Sequence, residues 1–351
     1  MKVLGIETSC DDTAVAIYDN EKGILSNVVS SQVKLHEEWG GVYPDLAARE
    51  HTKNIIPVLD KALKDANLSL KDIDIIAFTA APGLIVSLVI GISAAKSLAW
   101  TLNKPLVPVH HIEAHIFAVF LKHEINYPFL ALVVSGGHTE LYIIKAFEDY
   151  QYLGGTLDDA VGEAYDKVAR MLNLGYPGGP IIDKLSKSGK PQISFPRPLI
   201  KDKDKHKYNF SFSGLKSAVL RETEKNFYKI EDIATSFQEA AVDVLTTKTI
   251  KAAIEFNIQN IVVAGGVSAN SRLREKLLEE AKKHNLNVYF PPLYLCTDNA
   301  AMVAFTGYKR FSEKGTTVGF DFEGKARIRM DKFVEYIKEY YNSKKSIANC
   351  L

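Results

Sequence analysis

Two stretches of this chain repeat one pattern, and that repeat limits the available folds more than any other feature. The opening KVLGIETSCDDTAVAIYD reads as an apolar strand over Val3–Glu7, a polar turn over Thr8–Asp12 and a second strand over Ala14–Tyr18. From Phe129 the run FLALVVSGGHTELYIIK has the same form: an apolar strand, a small polar turn and an alternating strand. Further strands are expected at Ile73–Thr79 and Ile261–Val267, with helical periodicity over Ala48–Ala66, Ser87–Leu102 and Ser236–Phe256. Strands alternating with helices around two similar hairpins predict an α/β protein of two related lobes with a central cleft. A chain of 351 residues is also long for one core and suited to two.

His111 and His115 lie four apart in HHIEAHIFA. On a helix that spacing sets both imidazoles on one face, able to grip one metal ion, although two hydrogen-bonded core histidines fit as well. A zinc peptidase would read H-E-x-x-H. Here the acid is Glu113, about 200° around the helix from His111, so the base of that chemistry is missing. Asp298 precedes the helical run AAMVAFTGY, and is either its cap or a third metal ligand. Two histidines and a carboxylate leave open coordination positions and suit Zn²⁺ or Fe²⁺. Glu7, Asp11 and Asp12 at the first hairpin turn are either solvated or face the cleft, where they orient a nucleophile or bind a cation.

Three glycine-rich loops follow strand or helix ends. In Val133-Val134-Ser135-Gly136-Gly137-His138-Thr139, adjacent glycines let backbone N–H groups approach an anion, and Ser135 and Thr139 add hydroxyls. Gly175–Pro180, with Asp166 before it and Asp183 after it, matches a ribose site or a rigid connector. Gly265-Gly266-Val-Ser-Ala-Asn270 is equally open to both readings. One bound nucleotide explains three such loops better than three unrelated turns.

Charge and composition exclude several classes. With 43 basic against 42 acidic residues, global charge cannot hold nucleic acid. RNA contact therefore falls to local residues, with Arg197, Lys216 and Arg221 as candidates, or to a partner. Cys10, Cys296 and Cys350 are too few and too far apart for a disulfide framework, which points to a reducing, cytoplasmic setting. The apolar run Gly83–Trp100 contains Lys96 and Gly91, and reads as a helix buried on a sheet rather than a membrane span. Ser186–Lys207 reads as an exposed excursion, Lys332–Ser343 as an amphipathic helix and Asn349–Leu351 as a frayed end.

Taken together, GIETSCDDT, HEEWGGVYPDLAAREH, PVHHIEAH, LVVSGGHTELY, TLDDAVGEAYDKVAR, YPGGP, FSFSGLKSAV, AGGVSAN and CTDNAAM closely resemble the TsaD/Gcp family from Val3 to about Tyr308. Its members transfer a threonylcarbamoyl group to adenosine 37 of tRNA. The resemblance implies the duplicated actin/hexokinase/Hsp70-like (ribonuclease H-like) fold. It implies a first lobe over 1–110, completed by helices of about 297–351, and a second over 111–296 that carries the metal and nucleotide loops. It assigns one divalent metal, Fe²⁺ or Zn²⁺, to His111, His115 and Asp298. It assigns the substrate threonylcarbamoyl-AMP to Val133, Val134, Ser135, Gly136, Gly137, Asp166, Gly179, Asp183 and Asn270. For a transfer of this kind Asp11, and after it Glu7, is the expected group to accept the adenine N6 proton or orient the base. Implied partners are tRNA, a metal-free TsaB-like protein that pairs through the first lobe, and a TsaE-like ATPase; a homodimer is allowed. Departures from the family pattern are Ala81 in Ala81-Pro82-Gly83-Leu84, and Tyr43 and Asp45. The older family label of sialoglycoprotein endopeptidase is set aside, because H-E-x-x-H is absent. The rival readings are a small-molecule kinase of the same fold and a non-catalytic scaffold.

Overall fold

The computed structural model describes residues 1–348, so Asn349–Leu351 lie outside the described residues. The chain forms two compact units, one from Met1–Leu121 and Thr297 onward, the other from Lys122–Cys296. Unit 1 begins β1 (Lys2–Glu7), β2 (Asp12–Asp19), β3 (Gly23–Ser31), α1 (Val33–Glu37), α2 (Pro44–Asp65), β4 (Ile75–Ala81), α3 (Ile85–Leu102), β5 (Leu106–His110) and α4 (His111–Phe117). Unit 2 holds β6 (Phe129–Val134), β7 (Thr139–Ala146), β8 (Asp149–Gly155), α5 (Val161–Met171), α6 (Gly178–Leu185), α7 (Ser213–Glu224), α8 (Ile230–Glu255), β9 (Asn260–Ala264), α9 (Ser271–Lys283) and β10 (Asn287–Tyr289). The chain then returns to unit 1 as α10 (Ala300–Lys314) and α11 (Met330–Ala348).

The two sheets share one topology, with orders β3-β2-β1-β4-β5 and β10-β9-β6-β7-β8. In each, a three-stranded antiparallel meander is extended by two parallel strands, β4 and β5 or β9 and β10. The duplicated hairpins are therefore duplicated sheets. The third strand of each meander, β3 and β8, escapes the sequence reading because its residues are only partly buried and its apolar alternation is broken.

Side-chain alternation along β1 explains how unit 1 is layered. Leu4 and Ile6 join a core with Ile55, Leu59, Leu88 and Ile92 from α2 and α3. Val3 points the other way, into a core with Met302, Val303 and Ala304 of α10 and Ala114 of α4. Gly5 lies on that second face, where a Cβ would overlap the Ala300 carbonyl oxygen and come within 2.7 Å of the Ala304 nitrogen. Only glycine permits α10 to sit this close to the strand.

Helix α2 starts earlier than its periodicity suggests, because Pro44 stands at its first turn with φ already helical. Helix α3 is long and apolar enough to cross a membrane by length and composition. It packs against β4 with one face, as expected of a helix laid on a sheet. Leu88, Ile92, Ala95 and Ala99 are buried, whereas Ile85, Val86, Val89 and Trp100 are exposed.

The excursion after Ser186 is tied down from α8. The buried Lys248 ammonium donates to the carbonyls of His206 (3.1 Å) and Lys207 (2.9 Å). Burial pushes its pKa down to about 8 from 10.5. Between those values the unfolded chain carries the extra proton, so stability rises with pH across that window and the penalty is complete below it. Lys248→Met should flatten the difference between urea midpoints at pH 8 and pH 10, while exposing the loop to faster cleavage by trypsin. A wild-type pH profile in the variant would contradict this account.

Candidate metal centre and nucleotide loops

All three expected metal ligands belong to unit 1. This moves the unit boundary from the expected 110/111 to beyond Leu121. The physical reason is packing: α4 carries Ala114, and the turn after it Ala118, into the core shared with α10, which the linear sequence does not reveal. His111 and His115 sit one turn apart on α4 as the spacing predicts, with ring centroids 4.6 Å apart. Asp298 precedes α10, and the cap is Asn299, whose side chain accepts the Met302 N–H at 3.0 Å. The choice between cap and ligand is thus resolved locally, since Asn299 caps and Asp298 turns to the imidazoles. Its Oδ1 lies 3.1 Å from Nε2 of His115 and 3.6 Å from Nε2 of His111. One ligand atom from each of the three residues falls within 4.8 Å of the others.

A second layer fixes His111. Glu7, at the end of β1, is fully buried. Its Oε2 lies 3.0 Å from His111 Nδ1 and accepts the Thr79 hydroxyl at 2.6 Å, while Oε1 accepts the Ser9 N–H at 2.5 Å. The Ser9 hydroxyl also lies 3.1 Å from Nδ1. A proton held on Nδ1 by a carboxylate leaves Nε2 as the lone-pair donor, the arrangement of a metal-ligating histidine. The donor set of two Nε2 atoms and a carboxylate oxygen therefore fits a divalent cation. Glu7 does not project from the turn, and both its oxygens are already engaged by Ser9, Thr79 and His111, an arrangement that suits orienting the imidazole.

The electrostatics agree. Burial opposes charge on both groups, but the His111–Glu7 pairing outweighs it, holding Glu7 below the ordinary carboxylate range and raising His111 to about 9. Burial pushes His115 down. Burial, with the charge of Asp298 adding to it, raises the carboxyl of Asp11, and burial raises Asp12 to about 7. Glu7→Gln should fold normally and bind Zn²⁺ about 10–100-fold more weakly in chelator competition, because the amide removes the anion that keeps the proton on Nδ1. Unchanged affinity would remove Glu7 from this role.

Unit 2 brings its expected residues into one linked set. The Ser135–His138 turn closes through Ser135 N–H to the His138 carbonyl (2.8 Å) and His138 N–H to the Ser135 hydroxyl (3.0 Å). The Ser135 N–H is thereby committed within the turn, which leaves the adjacent Gly136 and Gly137 to offer backbone N–H groups. A Cβ on either glycine would meet nothing within 4 Å, so the loop faces open space. Thr139 is out of reach because it is fully buried, its hydroxyl accepting the Val161 N–H at the start of α5. Gly162 presses on this loop, and a Cβ there would lie 2.6 Å from the Ser135 carbonyl oxygen. Val133 and Val134 are buried strand residues that deliver the turn.

Asp166 accepts the Gly178 N–H at 2.7 Å, and Gly179 beside it is open to space. Asp183 accepts from the hydroxyl (2.9 Å) and N–H (3.3 Å) of Ser271. Asn270 caps α9 through the Leu273 N–H and donates to Gln238 at 2.8 Å. Sequence reasoning missed Gln238 and Ser271, which join Asn270 and Asp183 to the set; Ser271 stands next to Asn270 in the chain, whereas Gln238, 32 residues away, gave no local signal. Of the candidate RNA contacts, Arg197 is paired with Asp243 and Lys216 with Asp159, both at 2.7 Å, while Arg221 is exposed. Glu113 points away from the ligands as expected, onto Arg310.

Comparison with known proteins agrees with this geometry. The TsaD profile, described as tRNA N6-adenosine threonylcarbamoyltransferase, matches residues 23–305. A protein of that name from Persephonella marina is 74% identical over 339 residues, covering 97% of this chain and 98% of its own. One from a Sulfurihydrogenibium species is 67% identical over 341 residues, covering 97% and 100%. Component A of (R)-2-hydroxyglutaryl-CoA dehydratase from Acidaminococcus fermentans superposes with a TM-score of 0.56 at 14% identity, over 89% of this chain and 100% of that one. That likeness supports the actin/hexokinase-like fold alone. The matched profile and the two full-length relatives place this chain in the TsaD family, the tRNA N6-adenosine threonylcarbamoyltransferases.

Proposed function

We propose that this chain transfers the threonylcarbamoyl group of threonylcarbamoyl-AMP to N6 of adenosine 37, in tRNAs that read codons starting with A, releasing AMP. The observation that carries the reading is the convergence of His111, His115 and Asp298, backed by Glu7, in a chain of this family. The substrate carbonyl is activated as a mixed anhydride, whereas N6 is a poor nucleophile because its lone pair is delocalised into the ring. The protein must therefore supply position and stabilise charge. A divalent cation, Zn²⁺ or Fe²⁺, held by the three ligands supplies Lewis acidity toward substrate oxygens. The N–H groups of Gly136 and Gly137 hold the phosphate, and Asp166, Gly179, Asp183 and Asn270 fix the adenosine end. As N6 bonds to the carbamoyl carbon, the carbon–oxygen bond to phosphate breaks and its electron pair leaves with AMP. Asp11, its affinity for a proton raised by burial, takes the N6 proton. The acceptor base must leave its stack to react.

The near balance of 43 basic and 42 acidic residues, with Arg197 and Lys216 already paired, supports helpers for tRNA. We assign these to a metal-free TsaB-like protein pairing through unit 1 and a TsaE-like ATPase, with a homodimer as the other allowed assembly. The free Cys10 and Cys296 suit a cytoplasmic setting. The test is nucleoside mass analysis of tRNA after incubation with the protein, its partners, threonine, bicarbonate and ATP. Threonylcarbamoyladenosine is the expected product. ATP consumed to phosphorylate a small molecule without tRNA would favour a kinase, and a purified protein that takes up no metal would favour a scaffold.

A further inference from the structure

We propose that the buried Arg310–Glu113 pair is a brace that sets the spacing of the metal ligands, making Arg310 a positioning residue of the site. The inference rests on the cation reading above. The ligands come from two elements. His111 and His115 ride on α4, and Asp298 is fixed by the Asn299 cap of α10. Their mutual distance depends on how α4 sits against α10. Arg310 lies on α10 and is completely buried. One guanidinium nitrogen donates to both oxygens of Glu113, at 2.7 and 2.8 Å, and another donates to the Pro108 carbonyl at 2.6 Å. Pro108 precedes His111 and Glu113 follows it, so the guanidinium grips the chain on both sides of the first ligand. The Phe333 ring lies 5.6 Å from the guanidinium carbon.

Stability alone is a poor reason for this pair. Ala114, Ala118, Met302 and Val303 already join the two helices through apolar contact. Burying two charges costs several kcal/mol each, and apolar replacements of similar volume are often neutral or stabilising. Apolar contact, however, tolerates sliding, whereas a planar fork bonded at three points does not. The ligand atoms need placement within a few tenths of an ångström.

The experiment measures binding of Zn²⁺ by chelator competition, and of Co²⁺ by its visible spectrum, in the full-length protein. Arg310→Met combined with Glu113→Leu replaces the pair by apolar side chains and so avoids an orphaned ion or amide. This double variant is expected to melt near the parent, to bind Zn²⁺ about 10–100-fold more weakly and to give an altered Co²⁺ spectrum. A folded double variant with parental affinity and spectrum would overturn the brace. Should the double variant not fold, Arg310→Lys decides, since it keeps the charge and loses the fork. Weakened binding supports the brace, and parental binding overturns it. If the unsubstituted protein binds neither ion, the cation reading itself falls, and the brace with it.

Discussion

His111→Ala will fold and will produce at least about 10³-fold less threonylcarbamoyladenosine than the parent protein. The loss follows from removing one of three ligands, since Lewis-acid stabilisation amounts to several kcal/mol and each 1.36 kcal/mol is tenfold in rate. The fold survives because the substitution strips Glu7 of only one of its partners; the Ser9 N–H and the Thr79 hydroxyl remain. The stability cost is about 3–5 kcal/mol, that of removing one partner of a buried ion pair. His284→Ala is the control, because His284 is exposed on the other unit. A His111→Ala protein that retains more than a tenth of parental product would exclude the metal from the reaction.

Gly5→Val will lower the melting temperature by about 6–12 °C, from an overpacking cost of about 3 kcal/mol at roughly 2–4 °C per kcal/mol. The new side chain meets backbone atoms of Ala300 and Ala304, and a helix backbone cannot step aside as a side-chain tip would. Either α10 moves off the sheet, taking the Asp298 loop with it, or β1 leaves register with Ala16 on β2 and Ala77 on β4. The first response also removes zinc binding. Gly136→Ala is the comparison, since a Cβ there meets nothing within 4 Å, and it should melt with the parent. Equal melting of Gly5→Val and the parent would mean that α10 does not press on β1 as described.

Much of this was legible before any coordinates, and the pattern of success has a physical basis. β1, β2, β6 and β7 are apolar enough on their buried faces to declare their period, and the histidine pair declares itself by helical spacing. The edge-side strands β3 and β8 are half-exposed and silent. Long-range partnerships were invisible for another reason. Glu113 and Arg310 are 197 residues apart, and Glu7 and His111 are 104 apart. Nothing in a local window distinguishes an acid destined for a buried guanidinium or imidazole from one destined for water. For that reason the sequence shows Glu7 only as the end of a strand at a turn, and gives no sign that α4 packs with unit 1. Asp298 illustrates the limit at its smallest scale. Two adjacent cap-competent residues stand before α10, and only the folded chain shows that Asn299 takes the cap.

Unit 2 is one uninterrupted stretch of chain inserted into unit 1, and this has a consequence for biosynthesis. As the polypeptide leaves the ribosome, β1, β2 and β4 appear early, yet the face that α10 covers stays bare until residues beyond 300 have been translated. The inserted unit can close its own core in the meantime. Unit 1 thus completes its core only after the inserted unit has been made, an exception to the amino-terminal-first order of domain folding.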